Sequence, residues 1–145
     1  MSTLTKPITQ PNLRRRWRSY RDVVRVLVIG NNPIELGEVH DHLETLKDAS
    51  YKAEFAFSLA DGFRRAVRFK PHMVILDDNL SEETLSELVA KFKRDKRTTN
   101  LPFALLKTDN YKSTAVAGFK EFMLKKGLTA DRLSRAIQST MQAQI

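Results

Sequence analysis

Pro71-His72-Met73-Val74-Ile75-Leu76-Asp77-Asp78-Asn79-Leu80 places four consecutive apolar residues directly before two acids. Met73–Leu76 predicts a short strand buried on both faces, since a half-exposed strand would alternate apolar and polar residues. Asp77 and Asp78 then fall at its carboxyl end. The same punctuation recurs on either side. Val23–Ile29 is β-branched and nearly all apolar, which predicts a first buried strand. Asn32, Pro33 and Glu35 follow in the order N-cap, first helical position and N3, a capping-box pattern. Leu36, Val39, Leu43 and Leu46 then recur at helical spacing.

Tyr51–Phe57 alternates and predicts a second strand. Ser58 is placed to cap a helix with Leu59, Phe63, Ala66 and Val67 inward and Pro71 as its stop. Beyond Asp78, Ser81-Glu82-Glu83 opens a helix with Leu85, Leu88, Val89 and Phe92 on the buried face. Pro102–Leu106 predicts a fourth strand, Lys112–Phe119 a weak helix and Glu121–Leu124 a fifth strand. Thr129 caps a last helix with Leu133, Ala136, Ile137 and Met141 inside. Phe55, Phe57, Phe63, Phe92 and Phe103 are expected in the core.

Strands alternating with helices predict βαβ units, hence a parallel sheet covered on both faces. The fold class is therefore α/β: a flavodoxin-like, doubly wound, five-stranded sheet of order 2-1-3-4-5 in a three-layer α/β/α arrangement. The 145 residues, 41% of them hydrophobic, suffice for one domain with a real core. The absence of cysteine excludes a disulfide scaffold and any cysteine-based zinc or redox site, and fits a cytoplasmic location. No secretory signal and no apolar run long enough to span a membrane are read in the sequence.

The formal net charge is +8, unevenly placed. Residues 1–22 hold Lys6, Arg14, Arg15, Arg16, Arg18 and Arg21 against the single acid Asp22, five of those eight net charges. Two prolines and small polar residues predict a flexible basic arm over 1–22, ahead of a domain over 23–145. Arginines interleaved with Trp17 and Tyr20 suit an acidic protein, a nucleic acid or an anionic surface. A solvated arm is the simplest account, and nucleic acid ranks below protein contact.

In open parallel sheets the site lies at the carboxyl ends of the strands, near the switch in strand order. That rule selects Gly30, Asn31, Asp77, Asp78, Lys107, Thr108 and Lys125. Four segments at these positions, VLVIGNNP, PHMVILDDNL, LPFALLKT and AGFKEFMLKK, occur in order from about Arg25 to the C-terminus. Together they resemble the response-regulator receiver family. The resemblance implies a domain in which an aspartate at the end of the third strand accepts a phosphoryl group from a phosphohistidine. Two acids after the first strand hold Mg²⁺, and a Ser/Thr and a Lys contact the phosphoryl group.

Carried over by position, Asp77 matches the acceptor and Lys125 the lysine. The acid pair falls on Gly30 and Asn31. The Ser/Thr position falls on Lys107, with Thr108 one place beyond. Phe122 stands where the family has its switching aromatic, and Lys125-Lys126 replaces the usual Lys-Pro. From Thr108 to Phe122 the chain is about one helical turn shorter than the family's usual length. Lys107 and Lys125 are both expected beside Asp77, because all three end adjacent strands. Asp78 is expected to be a solvated loop acid capping the third helix. A pocket of Asp77 with two lysines is net positive, or neutral once Asp78 is included, so Mg²⁺ binding is expected to be weak or absent.

These departures imply an atypical, pseudo-receiver-like module, standing alone, acting in signal transduction by protein–protein contact. It has no catalytic residue, no cofactor and no metal, and it is not an enzyme. Its partner would be a signalling protein or a histidine kinase. One rival is a functional phosphoacceptor receiver in a two-component phosphorelay, using Asp77. A second is a nucleic-acid-associated regulator using the basic arm. His40 and His42 lie two apart on a helix, so they face different ways and are not read as metal ligands; His72 is read as having no evident partner. The sequence names no partner, pathway or oligomeric state.

Overall fold

A computed structural model describes residues 23–47, 50–108 and 118–142. The arm over 1–22 and most of the weak helix expected at 112–119 lie outside them, as does the shortened connection. The elements are β1 (Val23–Ile29), α1 (Pro33–Thr45), β2 (Ser50–Ala56), α2 (Leu59–Phe69), β3 (Met73–Asp77), α3 (Glu82–Arg94), β4 (Phe103–Lys107), β5 (Phe119–Leu124) and α4 (Ala130–Gln142). All four strand pairings are parallel, in the order β2-β1-β3-β4-β5. The doubly wound sheet expected from the alternation is therefore present.

Local chemistry sets the helix starts. Asn32 Oδ1 accepts the N–H groups of Ile34 and Glu35 at 3.0 and 3.3 Å, with Pro33 at the first helical position. Ser58, Ser81 and Thr129 each accept a first-turn N–H through the hydroxyl, at 3.1, 3.0 and 3.1 Å. Each such cap satisfies a donor that the helix itself cannot. The N-cap at Asn32 is as expected, but its reciprocal half is not. The Glu35 side chain turns away from Asn32 and into the site described below.

The sheet separates two apolar layers. Val26, Val28, Met73, Ile75, Ala104 and Leu106 pack under α1 and α4, against Leu36, Val39, Leu43, Leu133 and Ile137. Leu27, Ile29, Val74, Leu76, Phe103 and Leu105 pack under α2 and α3, against Ala66, Leu85, Leu88 and Phe92. Side chains on successive strand residues point to opposite faces, so each all-apolar strand feeds both layers. Phe92 meets Phe63 and Phe103 edge-to-face, each at 5.6 Å between centroids.

Some details differ from expectation. Phe57 is 48% exposed and not core, because it lies just past the end of β2, which among the described residues is an edge strand of the sheet. β5 begins at Phe119, so the expected helix cannot extend that far. His72 does have a partner: its Nδ1 accepts the backbone N–H of Arg25 at 2.9 Å. Leu46 lies one residue beyond α1, at its C-cap.

Candidate functional site

The register places the carboxyl ends of the strands side by side. Ile29 pairs with Leu76, Asp77 with Leu106 and Lys107 with Leu124. Gly30 is thus level with Asp77, and Lys125 lies just past the end of β5. Asp77 shares a face with Met73 and Ile75, the face under α1 and α4, and is fully buried.

Lys125 is the centre of the site. Its Nζ lies 2.7 Å from Asp77 Oδ1, 2.9 Å from Glu35 Oε1 and 3.9 Å from Asp78 Oδ1. Asp77 Oδ1 also accepts the backbone N–H of Asn79 at 2.9 Å. Glu35 Oε1 also accepts from Asn79 Nδ2, at 2.9 Å. Burial works against the charged ammonium of Lys125. Hydrogen bonds to Asp77 and Glu35, together with their charges, outweigh that and raise its pKa above the usual lysine value.

Asp78 is not the solvated acid expected. It is buried, and its carboxylate accepts the Thr108 N–H at 2.9 Å and the Thr108 hydroxyl at 2.7 Å. The cap of α3 is Ser81. Asn31 is exposed and its amide donates to the Asn79 carbonyl at 3.4 Å. Gly30 is a close-approach position: a Cβ there would lie 2.9 Å from Asp77 Cβ and 3.2 Å from Asp77 Oδ2. Oδ2 is buried and, among the described residues, has no hydrogen-bond partner.

Lys107 is not beside Asp77. It shares its sheet face with Phe103 and Leu105, the opposite face, and its Nζ lies 5.4 Å from the centroid of the Phe122 ring. Phe122 is half exposed, with Phe119 at 6.2 Å between ring centroids. The expected juxtaposition of two lysines fails because ending on adjacent strands does not put side chains on one face.

Glu35 is the residue that sequence reasoning missed as part of the site. Exchanging Lys107 for Glu35 changes the charge balance to three carboxylates around one ammonium. With Lys125 already counted that balance is a net −2, not the net positive or neutral pocket expected from the sequence, so charge alone favours a further cation and the case against Mg²⁺ rests on the ligand geometry. The oxygens do not fit Mg²⁺, which requires near-octahedral oxygen coordination. Gly30 and Asn31 bring no carboxylate, and the Asp78 oxygens accept from Thr108. Glu35 Oε1 and Asp77 Oδ1 hold Lys125, and Asp77 Oδ2 lies against Gly30. Among the described residues no group of three His, Asp or Glu side chains is arranged to hold a metal ion.

The sequence matches no protein-family model and no curated protein. Solved structures do match. A sensor protein from Polaromonas sp. JS666 superposes with a TM-score of 0.69 at 16% identity, over 84% of this chain and 98% of that one. A CheY-like response-regulator receiver domain from Methanospirillum hungatei JF-1 superposes with a TM-score of 0.67 at 17% identity, over 85% and 97%. The receiver domain of a sensor histidine kinase from Pseudomonas aeruginosa PAO1 gives 0.66 at 15% identity, over 83% and 99%. That last structure holds a magnesium ion coordinated in its active-site cleft. The fold of this chain is that of response-regulator receiver domains. Among the described residues no helix is long and apolar enough to cross a membrane.

Proposed function

We propose that this chain is a receiver-type signalling module whose phosphoacceptor pocket is closed by its own lysine, and that it acts through protein contact without Mg²⁺-dependent phosphoryl transfer. The observation that carries this reading is the lack of a carboxylate at Gly30 and Asn31, where the family's Mg²⁺-holding acids would stand, beside a fully buried Asp77 whose Oδ1 lies 2.7 Å from the Lys125 ammonium. Phosphoryl transfer to a carboxylate needs a free oxygen in line with the donor and cations on the equatorial oxygens. Asp77 Oδ1 is engaged twice, and Oδ2 faces the backbone of Gly30 rather than an open cleft. The module has no turnover and no resident cofactor. Its partners are other signalling proteins, a histidine kinase among the candidates, and it works in the cytoplasm.

Incubation of the full chain with acetyl phosphate and Mg²⁺, followed by intact-mass analysis, tests this. The chain should remain unmodified. Stoichiometric phosphorylation that is lost in Asp77→Asn would restore Asp77 as a working acceptor and overturn the reading.

A further inference from the structure

A second charged surface lies away from the lysine-closed pocket, on the layer formed by α2 and α3. The helices of a βαβ unit run antiparallel to the strands, so the C-terminal turns of α2 and α3 lie at the end of the sheet opposite Asp77. The last turn of α3 carries Lys91, Lys93 and Arg94, and the last turn of α2 carries Arg68. Lys96 and Arg97 follow α3 closely in the chain. Arg68, Lys93, Arg94, Lys96 and Arg97 are exposed, whereas Lys91 is half-buried. Phe63 binds the two helices into one surface. Lys91 Nζ lies 4.6 Å and Arg97 Cζ 5.9 Å from its ring centroid, while the ring edge rests on Phe92. Cation–π contact of this kind holds long side chains in place that would otherwise be mobile.

Most acids of this layer are engaged, while Glu83 and Glu87 line one concavity with Lys91 and Arg94. Asp61 pairs with Arg64 and Arg65, and Glu54 also pairs with Arg65. Asp95 accepts from the Arg97 guanidinium and backbone, which pushes its carboxyl down to about 2. Glu83 and Glu87 belong to the first half of α3. Among the described residues no carboxylate pairs with Arg68, Lys91, Lys93, Arg94 or Lys96. One or two cations would be ordinary complements to a helix C-terminus. Here the positive charge continues past the end of α3 and spans two helices.

We infer that this α2–α3 surface binds the phosphate backbone of a nucleic acid. A protein partner needs a desolvated apolar or aromatic anchor at the centre of its interface. The exposed large hydrophobics among the described residues are Ile34, Phe57 and Phe122, and none lies on α2 or α3. An anionic membrane surface likewise favours an apolar face for insertion. A polyphosphate backbone requires only closely spaced cations, and it reads no sequence through them. The surface is built from residues other than the arginines of 1–22 and other than those of the Lys125 pocket.

The test is fluorescence anisotropy of the full-length chain with a labelled, mixed-sequence DNA duplex across salt. The variant combines Lys93→Gln, Arg94→Gln and Lys96→Gln, with its melting curve checked against the parent. Binding should be saturable at low salt. The variant should bind about tenfold or more weakly, and its log K against log salt slope should be shallower by about 2–3, one for each phosphate it no longer neutralises. The same difference between variant and parent should persist when Arg14, Arg15 and Arg16 of the arm are changed to Gln in both. No saturable binding at low salt would overturn the inference, as would a variant indistinguishable from the parent. Equal or tighter binding to polyglutamate or to phosphatidylserine vesicles would reassign the surface to an acidic protein or a membrane, and would also overturn it.

Discussion

Lys125→Met should lose about 3–5 kcal/mol of folding stability near neutral pH, the cost of removing one partner from a buried ion pair. Lys125 is mostly shielded from solvent and Asp77 is fully shielded. Without the ammonium, Asp77, Glu35 and Asp78 are left as three neighbouring carboxylates, two of them buried. Methionine fills much of the lysine stem's volume, so the loss reports charge and not a cavity.

In the parent the Lys125 pKa is raised on folding, so the stability linked to that shift is fully present below the unfolded value of about 10.5 and is lost as pH rises through the folded value. Urea denaturation of both chains at neutral pH measures the variant's deficit. A deficit under about 1 kcal/mol would place Lys125 in the range of an ordinary surface pair.

Gly30→Asp, the substitution that returns an acid to the position after β1, should be strongly destabilising and should not create a metal site. A Cβ at Gly30 meets Asp77 Cβ at 2.9 Å and the Leu36 side chain at 3.2 Å. Asp77 is fixed by Lys125 and Asn79, and Leu36 is buried, so neither moves freely. Overpacking alone costs about 1–3 kcal/mol, which Gly30→Ala should show by itself. Aspartate adds a second carboxylate against Asp77 Oδ2, raising the total above that range by the cost of an unpaired buried charge. Chemical denaturation of the two variants separates these effects. A Gly30→Asp chain as stable as the parent would mean that the space beside Asp77 is open, contrary to the packing around Gly30.

The fold was legible because β1, β3 and β4 are short, nearly all-apolar runs, β2 alternates, and each helix has a cap and a 3.6-residue stripe. Strand order followed from the alternation of elements. Site residues were legible as far as topology reaches: Gly30, Asn31, Asp77, Asp78, Thr108 and Lys125 do converge. Lys107 was misplaced for a definite reason. Phe103–Leu106 is apolar at every position, so its sequence does not reveal which side chains share a face with Asp77, and only the register does. Glu35 was hidden differently. An acid at N3 after an Asn cap is sufficiently explained by the helix start, and nothing in local spacing shows that it reaches 90 residues along the chain to Lys125. Phe57 read as core from the alternation of β2, but that strand ends one residue earlier, at Ala56.

On the proposed reading Lys125 stands in for a metal cation in its own pocket, and an Mg²⁺ titration followed by amide NMR tests that most directly. In the parent, the amides of Asn31, Asp77, Asp78 and Asn79 should show no saturable shift up to low-millimolar Mg²⁺. In Lys125→Met, with three carboxylates left without their ammonium, the same amides should shift and saturate, and the added metal should recover part of the lost stability. Local, saturable shifts in the parent at the same metal concentration would contradict this role for Lys125, because the pocket would then take a metal with the lysine in place.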